Sequence, residues 1–162
     1  VNEHEALDRA VAAARKSPCA KSQRGVIVWN RPGLPPPRTR WSFFLGWNHP
    51  PRGLSCDGSQ WCKQWCSKLC VHAEADAIAS AMRGCHSLEG WDMLHVKIVG
   101  GVAAPSGPPS CWQCSRTIVD AGIGRMWLLH ESGLRSYSAD EFHELTLQTC
   151  GLPVIRSGAQ EM

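Results

Sequence analysis

The sequence predicts an α/β chain in which helices layer against a sheet. Short apolar runs rich in β-formers alternate with segments whose apolar residues recur at helical spacing. Two short motifs, His72-Ala73-Glu74 and Pro109-Ser110-Cys111-Trp112-Gln113-Cys114, each open a predicted helix after an irregular stretch. The 162 residues, 43% hydrophobic and 19% charged, suit a single domain over 1–162 with a core of its own.

Taken in order, Ala6, Leu7, Ala10, Val11 and Ala14 line one side of a helix from Glu3 to about Lys16. Ser17-Pro18 closes it, because proline disfavours helix in the residue before it. Gly25–Trp29 and Trp41–Trp47 read as the strands of a hairpin, joined by a long stiff loop with Asn30-Arg31-Pro32-Gly33 and a proline triplet. A Gly- and Cys-rich insertion at about 54–70 reads as irregular, and residues 72 to 83 then form a second helix with Gly84 as its stop. Leu94–Val99 is a predicted strand, 100–110 a loop, and Cys111 to about Ala121 a third helix ended by Gly122. Met126–Leu129 and Pro153–Ile155 are predicted strands, with a helix between them opening at the capping box Ser138-x-x-Glu141.

The two motifs supply three metal ligands and one carboxylate. A catalytic zinc site needs three protein ligands and an open position for water, and His72 with Cys111 and Cys114 leaves that position. Cysteines at i and i+3 face the same way on a helix, and the positive end of the helix dipole favours thiolate over thiol. Metal binding lowers the pKa of the water toward about 7. Glu74 would accept the water's proton, pass it to a ring nitrogen and then protonate a departing amine. Residues two apart on a helix diverge by about 200°, so this role requires the first turn itself to lie at the pocket. H-x-E followed by P-C-x-x-C is the signature of the zinc nucleobase deaminases. The alternative is a closed, structural zinc site in a non-catalytic binding module, which has no use for an unligated carboxylate at that spacing.

On these motifs the chain resembles the cytidine deaminase superfamily, and within it the deoxycytidylate (dCMP) deaminases. Gly46-Trp47-Asn48-His49-Pro50-Pro51-Arg52-Gly53 is similar to the family's G-Y-N-G-x-P-x-G, and Cys70–Ile78 to its H-A-E-x-N-A-I. Cys111-x-x-Cys114 is followed by Ile118-Val119-Asp120-Ala121-Gly122-Ile123, as in the family. The resemblance implies a three-layer α/β/α fold with a mixed sheet of about five strands. It implies zinc-dependent conversion of dCMP to dUMP and ammonia, with Asn48 on the deoxyribose and Trp47 and Ala73 among the substrate contacts. It also implies assembly into a homo-oligomer. His49 stands where the family has Gly, which would narrow the sugar site; Ser110 separates Pro109 from Cys111, and the loop before Pro109 is longer than the family's, which would reshape the pocket wall near the leaving ammonia.

Nine cysteines in a reducing compartment point to metal ligation before disulfides. Cys56, Cys62, Cys66 and Cys70 could hold a second, structural zinc, with Cys19, Cys85, His86 or His49 as substitutes; some dCMP deaminases carry such an ion in an inserted region. The other reading is free thiols, since Cys62, Cys66 and Cys70 would also line one helix face. The stretch Lys21-Ser22-Gln23-Arg24-Gly25, with Ser22 and Arg24, and Arg52 are candidate contacts for a 5′-phosphate. Trp112 reads as packing, with stacking on a base as the alternative, and Tyr137, Phe142 and His143 as packing of the last helix.

A formal net charge of +3 does not demand a polyanionic partner, and suits a single phosphate equally well. Arg31, Arg38 and Arg40 form a small basic patch without interleaved aromatic platforms, so a small-molecule nucleotide is favoured over a nucleic-acid strand. Deamination of a free base, a nucleoside or a base in a single strand stays as the alternative. No apolar run approaches the roughly 20 residues of a membrane span, and the first residues lack the order of a signal peptide, so the expected location is the cytoplasm.

Overall fold

The computed structural model describes residues 1–31, 33, 42–84, 87–109 and 111–154. Helix α1 (Glu3–Ala14) is capped by Asn2, whose side chain accepts the Glu5 N–H at 2.9 Å, and it buries Ala6, Ala10, Ala13 and Ala14. Strands β1 (Gln23–Trp29) and β2 (Phe43–Trp47) pair antiparallel, as the hairpin reading expects. Trp41, the proline triplet, Arg38, Arg40, Cys85, His86 and Ser110 lie outside the described residues.

The insertion holds a helix, α2 (Gln60–Leu69), capped by Ser59 and with no fully buried residue among the described side chains. Trp61, Cys62, Trp65, Cys66 and Leu69 recur at i, i+1, i+4, i+5 and i+8 and form one helical stripe, which the irregular reading of 54–70 passed over. After α3 (Ala73–Gly84) come β3 (Asp92–Val99), the three-residue strand β4 (Val102–Ala104), and α4 (Trp112–Asp120). Then β5 (Arg125–His130), β6 (Gly133–Ser138) and α5 (Ala139–Thr149) complete the order, with Ser138 capping α5 through the Glu141 N–H.

The strands form one mixed sheet in the order β2-β1-β3-β5-β6, with β4 beside β3. Only β3 and β5 run parallel, joined through α4. At their paired start, buried Asp92 accepts two bonds from Arg125 (2.7 and 3.0 Å) and one from Trp127 Nε1 (3.2 Å). One core, with Ala6, Ala10, Ile27, Trp29 and Leu94, lies under α1. The other, with Val26, Ala77, Ile78, Ile118, Met126 and Phe142, joins α3, α4 and α5 to the opposite face. Six strands therefore stand between helices on both sides.

Two elements differ from expectation. β6 exposes Arg135 and Ser136 and buries only Tyr137, so an edge strand carries little apolar signal. Pro153 and Val154 join no strand, since proline offers no N–H to a ladder; Ile155 lies outside the described residues. Among the described residues no helix is long and apolar enough to cross a membrane.

The helices that carry the two motifs lie tight on the sheet. A Cβ on Gly46 would run into the Ala77 nitrogen and the Ala73 carbonyl oxygen, both backbone atoms of α3 that cannot swing aside. We expect Gly46→Ala to lower unfolding free energy by about 2–3 kcal/mol in urea titrations. A loss under about 0.5 kcal/mol would mean that α3 has room to retreat.

Candidate active site

Each motif gains its geometry from how its helix starts. Ahead of α3, His49 and Val71 form an antiparallel bridge, with His49 N–H donating to the Val71 carbonyl (3.2 Å) and Val71 N–H to the His49 carbonyl (2.8 Å). His72 follows this clamp, outside the helix, and its carbonyl accepts the Asp76 N–H at 3.0 Å. The angular separation of two helical positions therefore does not apply to His72 and Glu74. Cys111 is the N-cap of α4, and its sulfur takes the place of a capping oxygen, 3.5 Å from the Cys114 nitrogen. Behind them, Ser115 Oγ donates to the Trp112 carbonyl (3.1 Å) and lies 2.9 Å from His143 Nδ1, tying α5 to the first turn of α4.

The two helix starts bring three ligand atoms together. His72 Nδ1 lies 3.1 Å from Cys114 Sγ and 3.3 Å from Cys111 Sγ, and all three atoms fall within 4.8 Å of one another. Nitrogen and sulfur sharing one tetrahedral zinc would stand about 3.5 Å apart, given usual bond lengths. The donor set, one imidazole and two thiols at that spacing, fits such an ion. Among the described residues this is the one group of three or more such ligands so gathered.

The thiols divide one proton between them. Cys111 is drawn down to about 4, first by its hydrogen bond with Cys114 and then by those with His72 and the Cys114 N–H, while Cys114 is pushed up by the same contact with Cys111 and by burial. A cation would displace the remaining proton.

Glu74 reaches the cluster, with Oε2 3.6 Å from Cys114 Sγ. Its side chain is 13% exposed, and burial alone would favour the neutral acid, yet His95, its own N–H, His72 and Arg24 hold the carboxyl below the usual range. His95, on β3, stands 3.9 Å from Glu74 Oε1 and 3.4 Å from Arg24 Nη1. Burial drives its imidazole toward the neutral form; Glu74 opposes that and Arg24 adds to it.

A cavity of about 720 Å³ opens over this cluster, lined in part by Ser22, Arg24, Asn48, Ala73, Glu74 and His95. Trp47 and Arg52 do not line it. Trp47 instead receives the Lys16 ammonium 5.1 Å from its ring, and Arg52 is exposed. Asn48 is buried, and its amide is engaged by the backbone: Oδ1 accepts the Arg24 N–H (2.8 Å) and Nδ2 donates to the Ser22 carbonyl (2.9 Å). One lone pair and one N–H remain for a ligand. His49 does not narrow the cavity; its Nε2 lies 3.5 Å from Asp76, whose other oxygen accepts the Trp47 N–H.

The four cysteines expected to hold a second ion stand as separate contacts. Cys56 and Cys62 have sulfurs 3.6 Å apart, whereas Cys66 turns to Cys19 at 3.5 Å, with Cys70 beside it. Cys62 and Cys66 stand one turn apart on α2 and face different partners, and Cys70 follows the helix in extended conformation, so among the described residues no three of these sulfurs gather. Burial and Cys19 push the Cys66 thiol up to about 12. Trp112, expected to pack, lines the cavity, 41% exposed, with the Arg116 guanidinium 5.4 Å above its ring. Sequence reasoning missed His95, Lys68 and Ser106 on the cavity wall, whereas Lys21, Ser22 and Arg24, from the stretch read as a phosphate contact, do line it. The sequence offered little signal for His95, which shares its strand with two other titratable residues, Asp92 and Lys97.

Comparison with solved structures gives the fold a context. The chain is similar to dCMP deaminase from the cyanophage S-TIM5 in apo form, at 20% identity and a TM-score of 0.53 over 76% of this chain and 78% of that one. For the same phage enzyme in complex with dCMP and dUMP the figures are 21%, 0.54, 76% and 77%. Cytidine deaminase from Burkholderia pseudomallei aligns at 19% identity with a TM-score of 0.59, over 88% of this chain and 96% of that one. No family model matches, and neither does a curated protein. The likeness is one of architecture, and by it this chain has the cytidine deaminase fold and resembles the dCMP deaminases.

Proposed function

We propose that this protein is a zinc-dependent hydrolase that removes the amine from the cytosine base of a nucleotide, converting dCMP to dUMP and ammonia. The observation that carries the reading is the three-ligand cluster of His72, Cys111 and Cys114 with an unligated, buried carboxylate, Glu74, against it. Zinc in such a set supplies Lewis acidity and lowers the pKa of a water at its open position. Glu74, its carboxyl held below the usual range, takes one proton of the attacking water and gives it to the ring nitrogen next to the reacting carbon; it then takes the second proton from the added hydroxyl and passes it to the amine, which leaves as ammonia as the carbonyl forms. Its burial keeps bulk water from competing for that proton. His95 and Arg24 hold the carboxylate in its charged form before the reaction begins.

The nucleotide part of the reading rests on charge. Lys21, Arg24 and Lys68 line the cavity, and Glu74 is its only lining carboxylate among the described residues. That balance favours a substrate carrying a phosphate over a neutral nucleoside. A volume of about 720 Å³ is in the range of small-molecule sites. The dCMP and dUMP complex of the cyanophage enzyme supports the same substrate class. Exposed Trp112 with Arg116 over its ring favours one second reading, a base in a single strand stacked at the cavity mouth. The cytoplasm, a reducing compartment, suits a chain whose described cysteines are free thiols.

Ammonia release by the zinc-loaded protein tests the reading, with dCMP, deoxycytidine and a cytosine-containing single strand run side by side. Turnover of dCMP is expected, and turnover of the strand alone would overturn the substrate. Glu74→Gln should cut kcat by at least about 100-fold while zinc content stays near that of the wild type. An inert wild-type protein whose Glu74→Gln variant still binds zinc would instead indicate a non-catalytic zinc module. His72→Ala, or treatment with a strong chelator, should remove metal and activity together, with activity returning to the chelated wild type on adding zinc. For the phosphate, Lys68→Glu should raise KM for dCMP about tenfold or more and leave deoxycytidine within about twofold. Equal effects on both substrates would remove Lys68 from the phosphate site.

A further inference from the structure

Among the described residues, α2 is the helix with the least to hold it: none of its described side chains is fully buried, and no other helix or strand packs broadly against it. Segments without a core of their own are commonly fastened through sulfur. Two pairs of sulfurs stand where such links would fall. Cys56 and Cys62 lie 3.6 Å apart across the cap of α2, and Cys19 and Cys66 lie 3.5 Å apart between the chain after α1 and the helix itself. At nearly equal spacing the two pairs differ in surroundings. Cys56 and Cys62 are both partly exposed, and the Ala20 N–H donates to Cys56 Sγ at 3.4 Å. That bond, with one from the Gly58 N–H, draws the Cys56 thiol below its usual range, and Cys56 in turn pushes Cys62 up, so Cys56 is the sulfur that ionises first. Cys19 is buried, and burial and Cys19 hold the Cys66 thiol at about 12. Thiolate is the form that attacks an oxidant, so one pair is primed and the other is not.

We propose that Cys56 and Cys62 form a redox modification site, a dithiol that a peroxide converts to a disulfide across the start of α2. Cys56 Sγ attacks one peroxide oxygen, the O–O bond breaks, and Cys56 becomes a sulfenic acid as the other oxygen leaves as water. Cys62 Sγ then attacks the Cys56 sulfur; the S–S bond forms, the S–O bond breaks, and the hydroxyl leaves as a second water with the Cys62 proton. Two thiols are oxidised and one peroxide is reduced to two waters, and a thiol reductant restores the dithiol by exchange. The sulfurs have to close from 3.6 Å to the roughly 2.05 Å of a disulfide, a movement that falls on the turn Asp57-Gly58-Ser59 ahead of the helix. The bridge fastens the first turn of the helix whose last turn carries Lys68 to the cavity wall.

Hydrogen peroxide added to the zinc-loaded protein at neutral pH, followed by tryptic mapping without reduction, tests the site. Zinc is added first to occupy Cys111 and Cys114, and mapping reports that pair separately. Cys56 and Cys62 share the tryptic peptide 53–63, which should appear two hydrogens lighter and closed to alkylation, and should reopen with dithiothreitol. Cys19 and Cys66, on peptides of their own, should stay free thiols at the dose that joins the first pair. In the reduced protein iodoacetamide should alkylate Cys56 at least about tenfold faster than Cys66. Cys62→Ser should stop the oxidation of Cys56 at a sulfenic acid that dimedone captures. An unchanged peptide 53–63, earlier joining of Cys19 to Cys66, equal alkylation of Cys56 and Cys66, or a second zinc ion per chain that Cys56→Ser releases would each overturn the proposal. None of these measurements uses turnover, so failure of the deaminase reading leaves them intact.

Discussion

Two helix N-termini ending at the same place above one face of the sheet are the constraint on which the rest depends. α3 and α4 share the core that contains Ala77, Ile78 and Ile118, so their starts are held side by side by packing that involves none of the site residues. Gly46 lets α3 settle onto β2, and α4 is carried back to the sheet by the parallel pairing of β3 with β5. Once those contacts form, His72, Cys111 and Cys114 have little freedom to avoid one another. The metal cluster is thus a consequence of core packing more than of loop conformation, and its ligands lie where rigid elements begin.

The same juxtaposition decides the electrostatics. Two helix starts direct their unpaired N–H groups and partial positive charge toward one region, which favours thiolate at Cys111 and carboxylate at Glu74. Burial works against both charges, and it is outweighed at each by specific neighbours: Cys114 and His72 for the thiol, His95 and Arg24 for the acid. Arg24 is held for this role by Asn48, whose amide accepts the Arg24 N–H and donates to the Ser22 carbonyl. The residue read from sequence as a sugar contact is therefore also the brace of the cavity wall.

How much of this could be read in the sequence depended on whether the signal was local. Ligand spacing, helix caps and apolar periodicity are local, so α1, α3, α4, α5 and the central strands were legible, and so was the set His72, Glu74, Cys111 and Cys114. β6 was hidden because only Tyr137 is buried along it, whereas α2 carried a legible stripe, Trp61, Cys62, Trp65, Cys66 and Leu69, that the glycine and cysteine content of the insertion masked. His95 could not be found by spacing at all. It acquires its meaning from what the sheet brings near it, Glu74 at 3.9 Å. Arg52 is exposed and does not line the cavity, because nearness to a motif in sequence does not fix where a side chain stands.

The chemistry and the selection of its object are built on different parts of the chain. The candidate ligands and Glu74 lie at the starts of core-packed helices, where a displacement would cost buried contacts. The walls that meet a substrate come largely from segments with little core of their own: the cysteine-bearing insertion that supplies Lys68, and the glycine- and proline-rich stretch that supplies Ser106. Changes in those walls leave Gly46, Ile78 and Ile118 untouched, so the reaction centre keeps its geometry while the cavity around it changes shape and charge. The longer loop before Pro109 and the cysteine-bearing insertion fall in these walls, so the shape and charge of the cavity are set by segments other than those that hold the three-ligand cluster.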